Sequence, residues 1–119
     1  MASQQGELLA RISNSIVGIF SECYGRGPTK AKTYMFDNYV FTVLEDILTP
    51  VERTLVEDGE PDLVRKVRLT FQEKVSHRFI GTIERETGRK VMTYHSQVTF
   101  DPPMGFEVFV LEPEPDSDG

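Results

Sequence analysis

The chain has little of what marks several common classes of protein. Its 119 residues include a single cysteine, Cys23, and no tryptophan, so no intramolecular disulfide can form and a disulfide-based scaffold is excluded. No charged start is followed by a long apolar run, which argues against a signal peptide and a membrane span. We therefore expect a cytoplasmic protein without direct membrane insertion.

Positive charge is also in short supply. There are 13 Lys and Arg residues against 19 Asp and Glu, and four of the acids lie in residues 112–119 beside two prolines. That segment is predicted to be a disordered acidic tail, after a single domain over residues 1–111. Without the tail the chain is close to neutral. The clustered positive excess typical of nucleic-acid or anionic-lipid binding is missing, so no nucleic-acid partner is expected.

Apolar residues recur at steps of three and four from Leu8 to Cys23, which predicts a helix over about 4–24. Gly25 stops it, and Pro28 makes its resumption unfavourable. Runs rich in aromatic and β-branched residues then lie at 32–36 and 39–45, flanking Asp37 and Asn38, a pair that tolerates tight turns. This pattern predicts a β-hairpin.

Two further helices and a second hairpin follow. Thr49, Pro50 and Glu52 have the spacing of a capping box with proline at the first helical position. The short helix they start is expected to end near 58–59. From Pro61, a longer helix is predicted to turn one apolar stripe toward the core: Val64, Val67, Phe71, Val75, Phe79 and Ile83. A hairpin is expected over 90–100 and 106–111, around a turn at 101–105 that contains two prolines.

The order α-β-β-α-α-β-β predicts an α+β two-layer sandwich, in which helices cover antiparallel hairpins. Each hairpin follows a helix that ends with a Gly-Arg pair, at 25–26 and 88–89, which is a weak internal repeat. In the third strand, one parity is expected to face the helices: Met92, Tyr94, Ser96, Val98 and Phe100. The second and fourth strands are apolar on both parities. A sheet of this kind needs a second cover, and this feature predicts a homodimer.

The loop between the first helix and the first hairpin combines glycines, a proline and cations. Backbone N–H groups of such a loop can bind phosphate, carboxylate or bicarbonate with the help of cations. The candidate anion-binding residues are Gly25, Arg26, Gly27, Lys30 and Lys32. The alternative is a plain connector with solvated cations, because the phosphate-loop spacing and a preceding strand are both absent.

The sequence offers few other candidates for binding or catalysis. The element order resembles one KH topology, but residues 57–62 carry four carboxylates where that fold needs a Gly-x-x-Gly loop. Tyr34 and His95 are candidates for lining a pocket, although an exposed strand face gives His95 the same pattern. Cys23 is interpreted as a core residue and the acids at 45–60 as a solvated surface. No catalytic group, metal site or cofactor is predicted.

Three segments resemble one bacterial family. The sequence at 25–28 followed by 32–34, then at 48–52 and at 87–89, is similar to MpsC domains, whose name refers to a sodium-translocating, membrane-potential-generating system. The likeness runs over about 6–111. It implies a cytoplasmic protein linked to membrane uptake of ions or inorganic carbon, without catalytic residues that can be transferred.

Together these features predict a non-catalytic accessory or regulatory module, dimeric, with a protein partner at a membrane transport system and an anion-binding loop. The alternative hypothesis is a small enzyme that acts on an anionic substrate at the loop from Gly25 to Lys32, with His95 or a carboxylate as base. A KH-like nucleic-acid module ranks below both.

Overall fold

The computed structural model describes residues 4–114, which form three helices and one four-stranded sheet. In chain order the elements are α1 (Gln4–Tyr24), β1 (Lys30–Phe36), β2 (Tyr39–Glu45), α2 (Pro50–Glu57), α3 (Pro61–Thr87), β3 (Val91–Phe100) and β4 (Pro103–Leu111). The predicted α+β order α-β-β-α-α-β-β is confirmed.

The helix ends follow from local sequence. The Thr49 side chain accepts a hydrogen bond from the Glu52 backbone N–H at 3.2 Å, and the Glu52 carboxylate accepts one from the Thr49 backbone at 2.9 Å. This is the predicted capping box, which satisfies two free donors at the start of α2. Gly25 and Gly88 end α1 and α3 with φ values of 80° and 69°, a left-handed conformation that glycine adopts without a steric penalty.

All neighbouring strands of the sheet are antiparallel, in the order β1-β2-β4-β3. Each hairpin therefore contributes one edge strand and one central strand. The central strands, β2 and β4, are the two whose sequences are apolar on both parities. These two strands therefore form the middle of both faces of the sheet.

Helices α1 and α3 cover one face of the sheet, here called the inner face, and α2 packs against α3. The core lies between the two layers. It contains Ile12, Ile16 and Phe20 of α1, Val40 and Leu44 of β2, Phe79 and Ile83 of α3, and Phe109 and Leu111 of β4. The predicted two-layer sandwich is confirmed.

Four details differ from the sequence predictions. The acids at 45–60 were interpreted as a solvated surface, but the Glu52 side chain is 13% exposed, because it pairs with the buried Arg68. Val67 was expected in the apolar stripe of α3, yet 55% of it is exposed, because Arg68 and Gln72 occupy the buried side there. Met92 is 61% exposed, since an irregularity in register between Val91 and Thr93 removes it from the inner face. Strand β4 begins at Pro103 instead of Phe106, because Pro103 and Gly105 already pair with β3.

The predicted tail at 112–119 lies partly outside the described residues, which end at 114. Its first residue is attached to the domain. The Glu112 backbone N–H donates to the Lys90 carbonyl at 2.8 Å, and its carbonyl accepts from Arg89 at 2.9 Å. Residues 115–119 lie outside the described part.

Candidate functional site

The two glycines of the loop after α1 both lie close to the last turns of that helix. The Gly25 N–H donates to the Ser21 carbonyl at 3.0 Å in the left-handed capping conformation. Gly27 lies directly against α1, where an added Cβ would overlap the Ser21 hydroxyl and lie 3.2 Å from the Val17 carbonyl oxygen. Gly25 is therefore favoured by its left-handed φ, whereas a side chain at Gly27 would force Ser21 to shift and crowd the Val17 carbonyl.

The cations of this loop have partners within the domain. Arg26 donates to the Leu48 carbonyl and, at 3.0 Å, to the Asp46 carboxylate, which also accepts from Arg53 at 3.1 Å. The hydrogen bond from Arg26 is the main cause that holds the pKa of Asp46 below its usual value. Arg26 thus ties the loop to the start of α2, and anion binding by this loop stays a prediction.

The two lysines of the predicted site lie on β1. Lys30 is 3.7 Å from the Glu45 carboxylate, with both side chains largely exposed. The Lys32 ammonium lies 5.4 Å from the centre of the Tyr34 ring, within cation–π range. Lys32 therefore belongs to the outer face of the sheet, opposite the helices.

Tyr34 and His95, the candidate pocket residues, also lie on the outer face but at opposite edges. One row across the sheet contains Tyr34 of β1, Phe41 of β2, Val108 of β4 and His95 of β3. Three strand spacings separate the two residues, about 14 Å at ~4.8 Å per strand. The structure does not bring them together.

The outer face is apolar across its central strands and carries no second layer within the described residues. Tyr34, Phe36, Tyr39 and Phe41 are 41%, 76%, 47% and 37% exposed. Half-buried valines and a phenylalanine adjoin these rings: Val43, Phe106, Val108 and Val110. These residues are the second apolar parity of β2 and β4 that was noted in the sequence, together with the aromatic residues of β1.

A polar row crosses the inner face beneath the helices. Thr33, Thr42, Glu107 and Ser96 lie side by side on the four strands. Thr33 and Thr42 share a hydrogen bond of 2.9 Å, and Ser13 of α1 joins Thr33 at 2.7 Å. Buried hydroxyls are costly without partners, and here each hydroxyl finds one in the row.

Glu107 is the most unusual member of the row, because a carboxyl group is 1% exposed in the middle of the domain. It accepts hydrogen bonds from the hydroxyls of Tyr94 and Ser96, the latter at 2.6 Å. Burial raises its pKa to about 7, although these hydrogen bonds and the charge of Arg68 act in the opposite direction. Burial and the adjoining Glu107 likewise raise the pKa of Tyr94.

The raised pKa of Glu107 links its ionisation to folding. In the unfolded chain a glutamate titrates near ~4.3, so between that pH and about 7 the folded protein binds more protons than the unfolded one. Stability must therefore fall as the pH rises through this window. The stabilising contribution is complete below the unfolded pKa and is lost above the folded one.

A buried ion pair lies beside this row. Arg68 of α3 donates to both oxygens of Glu52 at 2.7 Å and to the Ile47 carbonyl at 2.7 Å. Its guanidinium also lies over the Tyr24 ring, 4.3 Å from the centre. The Arg68 and Glu52 side chains are 4% and 13% exposed. Burial opposes ionisation of Glu52, but the bonds from Arg68 and Thr49 outweigh it and lower its pKa.

A cavity of about 230 Å³ lies between α3 and the β3–β4 half of the sheet. Its floor contains buried residues from five elements and connections: Phe20, Ile47, Arg68, Gln72, Val98, Gly105 and Glu107. Exposed residues form the mouth, namely Arg65, Leu69 and Gln97. The cavity combines a mainly apolar wall with one buried carboxyl group, an amide and a guanidinium, the composition typical of small-molecule sites.

Sequence reasoning missed this cavity, although one signal was present. Glu107 is the one charged residue of an otherwise apolar strand and shares its parity with Phe109 and Leu111, a pattern that is compatible with burial but does not decide it. Arg68 and Gln72 gave no such signal, because charged and amide residues are common on exposed helix faces. Within residues 4–114, no cluster of three or more potential metal ligands occurs.

Comparisons with known proteins agree with the sequence resemblance. Residues 4–113 match the family described as Na+-translocating membrane potential-generating system (MpsC). The chain is 27% identical over 100 residues to the uncharacterized protein YbcI of Bacillus subtilis (strain 168), covering 83% of this chain and 81% of that protein. No solved structure is significantly similar. Across the described part of the chain, none of the helices has the length and apolarity needed to cross a bilayer. With the match extending over nearly the whole chain, this protein belongs to the MpsC family.

Proposed function

We propose that this protein is a non-catalytic accessory or regulatory module that works as a homodimer in the cytoplasm, in association with a membrane system for ion or inorganic-carbon uptake. The proposal of a homodimer rests on the apolar outer face of the sheet, which no other element of the described residues covers. The description of the family as a Na+-translocating system supports the link to ion transport.

The size of the outer face favours a second copy as its cover. At ~200 Å² per aromatic side chain, the exposed fractions of Tyr34, Phe36, Tyr39 and Phe41 amount to roughly 400 Å². The neighbouring valines and Phe106 add to this area. A stable interface needs about 800 Å² per partner, so the aromatic residues alone supply half of it.

The arrangement of side chains favours a symmetric pairing. The apolar surface runs along β2 and β4 and extends onto edge strand β1 through Tyr34 and Phe36, whereas polar groups border it at Lys32 of β1 and at Thr93 and His95 of β3. An apolar centre with a polar rim is the usual anatomy of an interface. A two-fold axis through this centre would place the same surface of both copies in contact.

Light scattering coupled to size exclusion tests the dimer, with an expected mass near twice the chain mass of 13.5 kDa. Val108→Glu places a carboxylate in the centre of the outer face and should give the monomer mass. Val67→Glu is the matched control, because Val67 is 55% exposed on α3, away from the sheet. A folded wild-type monomer at all concentrations, or dissociation by Val67→Glu alone, contradicts the proposed interface.

Association with a transport system needs a separate test. The homodimer would bury the outer face and leave the helical layer available for a protein partner. Deletion of the gene should slow sodium-dependent or inorganic-carbon-dependent growth, and the wild-type chain but not Val108→Glu should restore it. Full rescue by Val108→Glu would show that the dimer is not needed for the function.

A further inference from the structure

The cavity beneath α3 contains a buried carboxyl group, that of Glu107, to which residues 4–114 offer no cationic partner within salt-bridge distance. Within residues 4–114, the Glu107 carboxyl group accepts hydrogen bonds only from the neutral hydroxyls of Tyr94 and Ser96. Among the described residues, none of the salt bridges includes Glu107. An ionised carboxylate in such a place is costly unless a positive charge lies beside it.

The nearest cation, Arg68, does not supply this positive charge, because the Glu52 carboxylate already neutralises it. The Nε and Nη2 groups of Arg68 donate to the Glu52 carboxylate and to the Ile47 carbonyl. Arg65 at the mouth is paired with Asp62 at 2.6 Å. Tyr24 and Tyr94, whose pKa values are raised above the usual value, face this region as neutral phenols. One negative charge is therefore uncompensated when Glu107 ionises.

The rest of the wall is suited to an apolar body. Phe20, Ile47, Leu69 and Val98 line the cavity together with Gly105. The volume of about 230 Å³ exceeds the ~150 Å³ of an engineered cavity that binds benzene. A ring with a one-carbon polar substituent therefore fits.

We propose that this cavity binds a small organic amine in its protonated form, with the ammonium group on the Glu107 carboxylate and the apolar body between Phe20, Leu69 and Val98. The ammonium supplies the missing positive charge. The Gln72 side chain, which accepts from the Tyr94 hydroxyl at 3.3 Å, lies beside the same group. This site is independent of the outer face and of the proposed dimer.

Benzylamine is the probe, with benzyl alcohol and benzoate as neutral and anionic analogues of similar shape. Amide chemical shifts of Ser96, Val98 and Gly105 report binding at millimolar concentration. Benzylamine should bind at least tenfold more tightly than either analogue at about pH 8. Equal affinity for benzyl alcohol, tighter binding of benzoate, or no binding of any probe overturns the proposal. Displacement of benzylamine by Na⁺ at equal concentration would overturn it too, since that result indicates an inorganic cation site.

The pH dependence supplies a readout specific to Glu107. Because its pKa is about 7, the ionised fraction limits the apparent affinity, and benzylamine should bind about tenfold more weakly at about pH 6 than at about pH 8. Binding at the lower pH should release close to one proton, measurable by calorimetry in buffers of different ionisation enthalpy. A pH-independent affinity contradicts the assignment of Glu107 as the ammonium ligand.

Two pairs of variants complete the test. Glu107→Gln should abolish the preference for the amine over the alcohol, whereas Glu45→Gln on the opposite face should leave it unchanged. Leu69→Lys adds a cation at the exposed mouth and keeps the core intact. It should weaken benzylamine binding at least fivefold, while Leu63→Lys on the same helix, 45% exposed and outside the cavity, should not. Equal effects of the two lysine variants count against the site.

Discussion

The buried pair of Arg68 and Glu52 allows a sharp prediction about stability. Glu52→Gln keeps the size of the side chain and the capping box, in which glutamine can replace glutamate. It removes the negative charge that faces the Arg68 guanidinium across two contacts of 2.7 Å. The main perturbation is therefore a buried cation without its counterion.

The magnitude follows from this geometry. Two unit charges about 4 Å apart interact by ~4 kcal/mol at an effective dielectric constant of ~20. Removal of one partner of a buried pair costs about 3–5 kcal/mol. Since glutamine still offers one acceptor oxygen to Arg68, we expect the lower end, about 3 kcal/mol. At about 4 °C per kcal/mol for a chain of this length, the melting temperature should fall by ~12 °C.

Chemical denaturation followed by far-ultraviolet circular dichroism measures this loss, since the chain has no tryptophan for fluorescence. Glu45→Gln is the matched control. Its pair with Lys30 spans 3.7 Å between exposed side chains, so we expect a change below about 0.5 kcal/mol. If Glu52→Gln and Glu45→Gln destabilise the protein equally, the account of a buried and energetically important ion pair is wrong.

Four further predictions address other parts of the domain. Raising the pH from about 4.5 to about 8 should lower the free energy of unfolding of the wild type relative to Glu107→Gln by about 3 kcal/mol; parallel pH profiles would contradict the raised pKa of Glu107. If the loop after α1 binds an anion, phosphate should raise the melting temperature of the wild type more than that of Arg26→Ala, with chloride at matched ionic strength as the control; equal gains would remove that hypothesis. Gly27→Ala should cost about 1–3 kcal/mol by overpacking against α1, and an unchanged melting temperature would show that the loop adapts. Deletion of residues 115–119 should leave the melting temperature unchanged within about 1 °C, whereas a larger loss would show that this segment docks on the domain.

The order and type of the elements could be predicted because their signals are local. Leu8, Ile12 and Ile16 repeat at helical spacing, the capping box at Thr49 marks the start of α2, and Gly25 and Gly88 mark helix ends. Each of these signals acts within one or two turns of chain, where backbone geometry and short-range hydrogen bonds dominate. Such features can therefore be predicted without knowledge of tertiary contacts.

The sheet order and the exact boundary of β4 depended on contacts between distant segments. Pairing of β2 with β4 joins Val40 to Phe109 across 69 positions of sequence. Pro103 lies in β4 as the partner of Phe100, although proline ordinarily argues against a strand interior. The irregularity after Val91 likewise turns Met92 outward, which the alternation of the sequence did not predict.

The cavity could not be predicted because its polar residues come from separate elements. Arg68 and Gln72 occupy buried positions of α3 only because Glu52, Ile47 and Tyr94 offer them partners. A polar residue in a helix is ordinarily interpreted as exposed, and its burial is decided by tertiary contacts. The loop at 25–32 could be singled out from the sequence because its glycines and cations are contiguous, and anion binding there stays a prediction.

The most direct test of the central proposal is an isotope-filtered NOE experiment on a mixed dimer, in which one copy is labelled with ¹³C and the other is not. Our account predicts intermolecular NOEs between the Phe41, Val108 and Phe106 side chains of the outer face. Intermolecular NOEs that involve only exposed residues of α3, such as Val67, or their complete absence at millimolar concentration, would contradict the proposal that a second copy covers this face.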